Sequence, residues 1–342
     1  MAVRMKDIAR DLGISVVTVS KVLRNHPDIG EATRKRVLKR MKELNYHPNM
    51  AAQALTTGQT WTIGLIVPDL LHPFFAALAH SISTVLRETG YSLLISSSDE
   101  DVELEKDAIE HLLARRVDVL LIASAQSSVE SFLRIEEMKT PYILLDRRFD
   151  GLDANFVGVD DHAVGVLATE HLIAQGCQRI VHIRGPRVST ADGRAAGYRD
   201  ALTSAGMTLY PGHTVSLGDS GDHRGELGGY NAARQLLECD PRPDGIFCFN
   251  DPSALGAMRA ILEAGLDVPK DIVVVGCGNL SYSDFLRVPL SSVDQDSQSI
   301  GQRAAHLALR LVQSKTPLRP CRELVQPRLV LRESSSRNWN GS

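Results

Sequence analysis

No run of apolar residues in this 342-residue chain approaches the roughly 20 needed to cross a bilayer, so no membrane partner is expected. The first residues lack the apolar core of a secretion signal, because Lys6, Asp7, Arg10 and Asp11 interrupt it. The five cysteines (177, 239, 248, 277 and 321) are odd in number, far apart and free of any Cys-x-x-Cys pair. That spacing argues against a disulfide frame or a zinc site and for free thiols in a reducing cytoplasm. There is no phosphate-binding Gly-x-x-x-x-Gly-Lys-Ser/Thr, no Gly-x-Gly-x-x-Gly after a strand and no His-x-x-x-His. Gly218-Asp219-Ser220-Gly221 mimics a serine-protease nucleophile motif, but that motif belongs to an all-β fold and no matching histidine region accompanies it. Catalysis, a cofactor and a metal are therefore not expected. Aromatic residues are also sparse, at 5%.

What is present begins with Lys6-Asp7-Ile8-Ala9-Arg10-Asp11-Leu12-Gly13-Ile14-Ser15-Val16-Val17-Thr18-Val19-Ser20-Lys21-Val22-Leu23. Two short helical patterns meet at Gly13-Ile14-Ser15, the writing of a helix-turn-helix. Glycine can take the left-handed conformation that ends the first helix, and Ser15 can cap the second. Ile8, Ala9, Leu12, Val19, Val22 and Leu23 supply the contacts between helices. Val16, Val17, Ser20 and Lys21 fall on the opposite face, spaced to enter a major groove. Residues 1–60 hold 11 basic and 5 acidic residues, a net of +6, which leaves 61–342 at −9. A basic head on an acidic body suggests that the head alone meets a polyanion. The competing explanation for Arg34, Lys35, Arg36, Lys39, Arg40 and Lys42 is a solvated helix face.

A third helix is expected over Glu31 to Leu44, with Val37, Leu38, Met41 and Leu44 as its apolar stripe. It ends at Asn45-Tyr46-His47-Pro48-Asn49. Met50 to Leu55 is helix-prone but far below the roughly 12–15 residues that sustain an isolated helix. From Thr62 the texture changes to apolar strands (63–67, 92–95, 119–122, 143–145, 180–183, 245–249, 272–275). Helices alternate with them (73–89, 101–115, 161–175, 193–205, 224–238, 252–264, 297–313). That alternation specifies an α/β body of two doubly wound parallel-sheet halves, with a ligand cleft at the carboxyl ends of the strands. The tail after Glu333 reads as unstructured.

The chain resembles the LacI/GalR family of bacterial transcription regulators. In the head the matching residues are Asp7-Ile8-Ala9, Gly13-Ile14-Ser15-x-x-Thr18-Val19-Ser20-Lys21-Val22-Leu23, Thr33-Arg34, Leu44-Asn45-Tyr46-x-Pro48-Asn49 and Ala52-x-x-Leu55. In the body they are His72-Pro73-Phe74-Phe75, Gly90-Tyr91, Arg116-Val117-Asp118, Asp146-Arg147, Gly185-Pro186, Arg194-x-x-Gly197-Tyr198, Asn250-Asp251-x-x-Ala254-Leu255-Gly256 and Val293-x-Gln295. The resemblance implies a helix-turn-helix domain over 1–48, a hinge helix and linker over 49–60 and an effector-binding and dimerisation domain over 61–333. Within the last, the N-terminal half takes about 61–161 and 294–324, the C-terminal half about 162–293 and 325–333, and 334–342 is a disordered tail.

It further implies a cytoplasmic repressor that binds a palindromic operator as a homodimer and responds to a small-molecule effector. That effector is a sugar or sugar derivative, with a purine or sugar acid as alternatives. Val16, Val17 and Lys21 stand where such proteins read bases, valine suiting thymine methyls and lysine guanine N7 and O6. The family usually has arginine at Lys21, and lysine lacks its planar fork. Ser15, Thr18, Ser20 and Arg24 are placed at phosphates. Asn49 belongs to the hinge, and Leu55 wedges into the minor groove. The cleft takes Phe74, Phe75, Asp146, Arg194, Asn250 and Gln295. Asp251, Asp160 and Asp161 read equally well as helix caps. Where sugar binders of the family carry an aspartate, this chain has Gly278, with Asn279 or Asp284 as possible substitutes and a bulkier or anionic effector as the alternative. His223 lies in a departing Gly- and His-rich stretch and has no assigned place. No carboxy-terminal heptad repeat is present, so the assembly is expected to stop at a dimer.

Overall fold

The structure, a computed structural model, describes residues 3–23, 26–46, 54, 58–126, 129–149, 151–209, 212–217, 225–314 and 316–337. The chain divides into two compact units, Met1–Thr60 and Trp61–Ser342.

In the first unit, helices α1 (Met5–Leu12), α2 (Val16–Leu23) and α3 (Glu31–Glu43) pack around Ile8, Ala9, Val19, Val22, Val37 and Met41. Leu38, expected in that stripe, is 49% exposed. Val37 and Met41, four apart, already fill the face of α3 turned to the other helices, so Leu38 falls beside it.

The second unit holds two six-stranded sheets. The N-lobe sheet runs β11-β5-β4-β3-β1-β2 and is parallel throughout. Its strands are β1 (Thr62–Val67), β2 (Ser92–Ser97), β3 (Val119–Ile122), β4 (Tyr142–Leu145), β5 (Asn155–Val159) and β11 (Arg322–Val325). The C-lobe sheet runs β12-β10-β9-β8-β6-β7, parallel except for the edge strand β12. It is built of β6 (Ile180–Arg184), β7 (Thr214–Ser216), β8 (Gly245–Cys248), β9 (Val273–Cys277), β10 (Ser291–Asp294) and β12 (Arg328–Val330). Continuous apolar strands are what a sheet covered on both faces requires. Leu65 and Leu121 point into one core and Ile66, Leu120 and Ile122 into the other, as strand alternation dictates.

The N-lobe helices are α4 (Pro73–Glu88), α5 (Val102–Ala114), α6 (Glu130–Glu137) and α11 (Ser297–Gln313); those of the C-lobe are α7 (Asp161–Ala174), α8 (Ser189–Ser204), α9 (Glu226–Leu237) and α10 (Asp251–Glu263). The chain passes between lobes after β5, after β10 and between β11 and β12. Two C-lobe helix pairs cross at glycines. A Cβ on Gly165 (α7) would lie 2.1 Å from the Arg194 carbonyl oxygen of α8, and one on Gly256 (α10) 1.9 Å from that of Glu226 in α9.

Helix α8 begins four residues before its expected start. Ser189 and Thr190 are turn-prone in isolation, but Thr190 and Ala191 are buried, and packing overrides propensity. The tail also departs from expectation. Glu333–Ser335 forms a 3₁₀ turn in which Ser334 and Ser335 are fully buried. Ser334 Oγ donates to the Val274 carbonyl (2.8 Å), and Ser335 Oγ bonds Ser291 Oγ (2.7 Å) and His171 Nε2 (2.7 Å). Serine hydroxyls, not apolar side chains, dock this segment. The remainder of the expected tail, 338–342, lies outside the described residues.

Candidate functional site

In the head, Gly13 adopts φ 64°, and its N–H reaches the carbonyls of Ala9 and Arg10. Ile14 N–H returns to Ala9 O at 3.0 Å, closing α1. Ser15 Oγ accepts the Thr18 N–H (3.0 Å) and pairs with Thr18 Oγ1 (2.9 Å), so both side chains are engaged in starting α2. That cap aims the exposed face outward: Val16 is 42% and Val17 61% exposed. Exposed valines on a capped helix N-terminus offer methyl groups and nothing polar to a partner. Lys21 is half-buried, its ammonium 3.2 Å from Asp28 Oδ2, and Ser20 lies on the same helix, half-buried. Arg24, Asn49 and Leu55 lie outside the described residues.

Part of the basic α3 face is engaged in bonds within the head. Arg34 donates to the His26 carbonyl (2.9 Å), Arg36 to the Leu12 carbonyl at the end of α1 (3.3 Å), and Arg40 pairs with Asp11 (2.6 Å) and Glu43 (3.1 Å). These arginines tie the three helices together, which the charge count alone did not reveal.

In the second unit, polar side chains converge where strands of both lobes end. Asp146 follows β4 in the left-handed region (φ 60°), 7% exposed, and its Oδ1 has no hydrogen-bond partner among the described residues. Burial pushes its carboxyl up, and the Arg194 and Arg147 guanidiniums pull it back down. Arg194 extends from α8, 3% exposed; Nε donates to Asp161 Oδ1 (2.9 Å) and Nη1 to the Phe249 carbonyl (2.7 Å), with the guanidinium 4.7 Å above the Phe249 ring. Nη2 is left without a protein partner among the described residues. Burial raises Asp161 to about 7 against the opposing pull of Arg194. Asp161 is thus the counter-ion of Arg194, and Asp160 caps α7 through the Ala163 N–H (3.1 Å).

Asn250 caps α10, its Oδ1 accepting the Ser253 N–H (2.9 Å). Its Nδ2 reaches across to His72 Nε2 of the N-lobe at 3.3 Å. Asp251 is fully buried and does not cap: Oδ2 accepts the Leu280 N–H (2.9 Å) and Oδ1 the Ser292 hydroxyl (2.6 Å). Gln295 Oε1 accepts the Cys277 thiol at 3.4 Å. Phe74 and Phe75, 6% and 5% exposed, pack edge to face (5.1 Å) in the hydrophobic core at the first turn of α4. The structure therefore brings Asp146, Arg194, Asn250 and Gln295 to adjoining strand ends, whereas both phenylalanines are buried in the core.

Comparison with known proteins bears on both units. Residues 4–49 match the bacterial regulatory proteins of the lacI family, and 60–323 match the periplasmic binding proteins and sugar binding domain of LacI family. The chain belongs to the LacI family. It is 34% identical over 333 residues to the HTH-type transcriptional regulator GalR of Escherichia coli (strain K12), spanning 97% of this chain and 95% of that one. It is 34% identical over 315 residues to the ribose operon repressor of the same organism, covering 91% and 94%. A lac repressor dimer solved with operator and an anti-inducer superposes with TM-score 0.85 at 30% identity, covering 98% of this chain and 100% of that chain. The chain is accordingly a DNA-binding transcriptional regulator.

Several features of this LacI-family member escaped its sequence. Gly278 has φ 131°, and the nearest atoms to a Cβ there belong to Asp251 (3.5 Å) and Leu280 (3.8 Å). Neither suggested substitute is unoccupied: Asn279 Oδ1 accepts from Arg332 (2.8 Å) while Nδ2 donates to Asp294 (3.1 Å), and Asp284 pairs with Arg332. Arg147, beside Asp146, is held by both oxygens of Glu100 (2.7 and 2.6 Å) and donates to the Ser124 carbonyl (3.1 Å). His72 and Arg147 both lay inside matched motifs, but nothing in the sequence said that they face the strand ends. The His223 stretch lies outside the described residues.

Proposed function

We propose that this regulator is a non-catalytic, cofactor-free cytoplasmic repressor that binds a palindromic operator as a homodimer and is controlled by a neutral sugar or sugar derivative. In each head, Val16 and Val17 pack on thymine methyls, and Lys21 reads a guanine after leaving Asp28. Ser15, Thr18, Ser20 and Arg24 lie along phosphates. Asn49 and Leu55 form the hinge, Leu55 wedging a minor-groove step. The operator-bound lac repressor dimer supports this arrangement. On the body, Leu94 and Ile95, 36% and 39% exposed on edge strand β2, together with Phe285, 86% exposed, suit a homodimer face.

The observation that carries the effector class is the buried Asp146 carboxyl group, one oxygen of which has no partner among the described residues. Arg194 is paired with Asp161 and Arg147 with Glu100, so Asp146 is the carboxyl group of this cluster left without an ion pair among the described residues. Such a site calls for hydroxyl donors and disfavours an acid, whose charge would face Asp146. Arg194 Nη2 supplies a donor, while Asn250 and Gln295 supply amides. Solved relatives with cellobiose and ribose support a sugar.

Effector binding changes the angle between lobes and so the spacing of the two hinges, coupling the sites by about 1–3 kcal/mol. A thermal-shift screen over neutral sugars, sugar acids and purines tests the class. Stabilisation by a neutral sugar, lost in Asp146→Asn, is expected; stabilisation by acids alone would overturn it.

A further inference from the structure

We propose that Cys277 is a positioning residue of the effector site: its thiol claims the Gln295 amide oxygen, leaving the amide NH₂ group for the ligand, which must meet it with an acceptor oxygen. Strands β9 and β10 run parallel, with Cys277 in register with Val293. Gln295 stands two residues past Val293, just beyond β10, so strand alternation puts its side chain on the same face as that of Cys277. There Cys277 Sγ donates to Gln295 Oε1 at 3.4 Å, the two residues being 2% and 5% exposed. Burial pushes the thiol up to about 12 against the opposing pull of Arg194, so it keeps its proton near neutrality and can donate. An amide oxygen accepts and an amide nitrogen only donates, so the thiol proton selects the oxygen.

The consequence is a fixed pattern of donors. Gln295 Nε2 makes no bond to any described residue, and the Arg194 guanidinium, charge-coupled to Cys277, likewise keeps Nη2 for a ligand. Two donors therefore stand on the C-lobe side and one acceptor, Asp146 Oδ1, on the N-lobe side. A sugar satisfies all three with ring or hydroxyl oxygens toward Gln295 and Arg194 and a hydroxyl proton toward Asp146. An ammonium group at Gln295 is disfavoured, because it sets donor against donor. This specificity rests on the proposed function. The thiol–amide bond itself does not.

Infrared spectroscopy of the full-length protein at pH 7, without operator or ligand, reads the S–H stretch in a window free of other protein bands. Subtracting the spectrum of Cys277→Ser isolates the Cys277 band from those of the other four thiols. That band should lie at lower frequency than the band of ethanethiol in hexane. It should rise in Gln295→Leu and in Gln295→Met, both of which remove the amide oxygen, each read against its own Cys277→Ser double variant. A free-thiol band in the wild type, or one that moves in neither variant, would overturn the proposal whether or not the chain binds a sugar. For a neutral sugar that stabilises the wild type, Cys277→Ala should weaken binding about fivefold, the worth of one hydrogen bond. Cys277→Ser keeps a donor and should restore it; equal weakening by both would show that this residue only packs and would overturn its positioning role.

Discussion

Gly165→Ala probes how the C-lobe holds Arg194. The new Cβ would lie 2.1 Å from the Arg194 carbonyl oxygen and 2.8 Å from the Tyr198 nitrogen. An ordinary carbon–oxygen contact needs about 3.3 Å, so α7 and α8 must part by about 1 Å. The obstacles are backbone atoms, which no rotamer change can clear. Overpacking costs about 3 kcal/mol at its upper end, and alanine returns about 1 kcal/mol of helix propensity, a net loss of about 2 kcal/mol. For a unit of this size the melting midpoint should fall by roughly 3–4 °C in calorimetry. Arg194 moves with its helix and away from Asp161 and Phe249, so affinity for a sugar ligand should fall as well. Gly90→Ala is the control. That residue has φ 78° and nothing within 4 Å of a Cβ, so it should lose about 1 kcal/mol from left-handed strain alone and leave ligand affinity unchanged. A Gly165→Ala protein that melts at or above the wild-type temperature would refute the close crossing of α7 and α8.

Two further outcomes are expected. Asp28→Asn frees Lys21 from an exposed ion pair worth at most about 1 kcal/mol, so operator affinity in fluorescence anisotropy should rise by up to about fivefold; a decrease would mean that Asp28 itself assists binding. His182 is fully buried, its ring stacked on Phe247 (4.6 Å), with Nδ1 bonded to the Phe247 carbonyl (3.0 Å), and burial lowers it to about 3. Between pH 6.5 and about 3 the unfolded chain binds a proton that the folded chain refuses. This histidine therefore contributes stability above pH 6.5 that is lost as pH falls, at about 1.4 kcal/mol per pH unit. His182→Gln should remove that slope from urea midpoints measured between pH 6.5 and 5; an unchanged slope would contradict the assignment.

The elements legible in advance were those written in apolar periodicity. Strands such as Val119–Ile122 and helices such as Ser297–Gln313 stood out because their neighbours bury them on regular faces. Strand β10 did not, since Ser291-Ser292 lacks an apolar run and is held by hydroxyl bonds to Arg332, Asp251 and the 3₁₀ turn. The turn at Gly13 and the cap at Ser15 could be read because they are local. Pairings such as Arg194–Asp161 and His72–Asn250 join residues 33 and 178 apart and exist only once the sheets are wound. Asp251 shows the limit of local chemistry: an aspartate before a helix reads as a cap, yet Asn250 takes that role and Asp251 braces β10.

The central claim is that a ligand held at Asp146 and Arg194 alters operator binding by the head. Anisotropy titrations of a palindromic duplex, selected by this protein from a random pool, would measure it with and without the stabilising sugar from the thermal screen. The wild type should change operator affinity by about 5–150-fold when the sugar is added. Asp146→Asn should bind the duplex as the unliganded wild type does and not respond. A sugar that binds the wild type without moving operator affinity, or an Asp146→Asn protein that responds fully, would contradict the account.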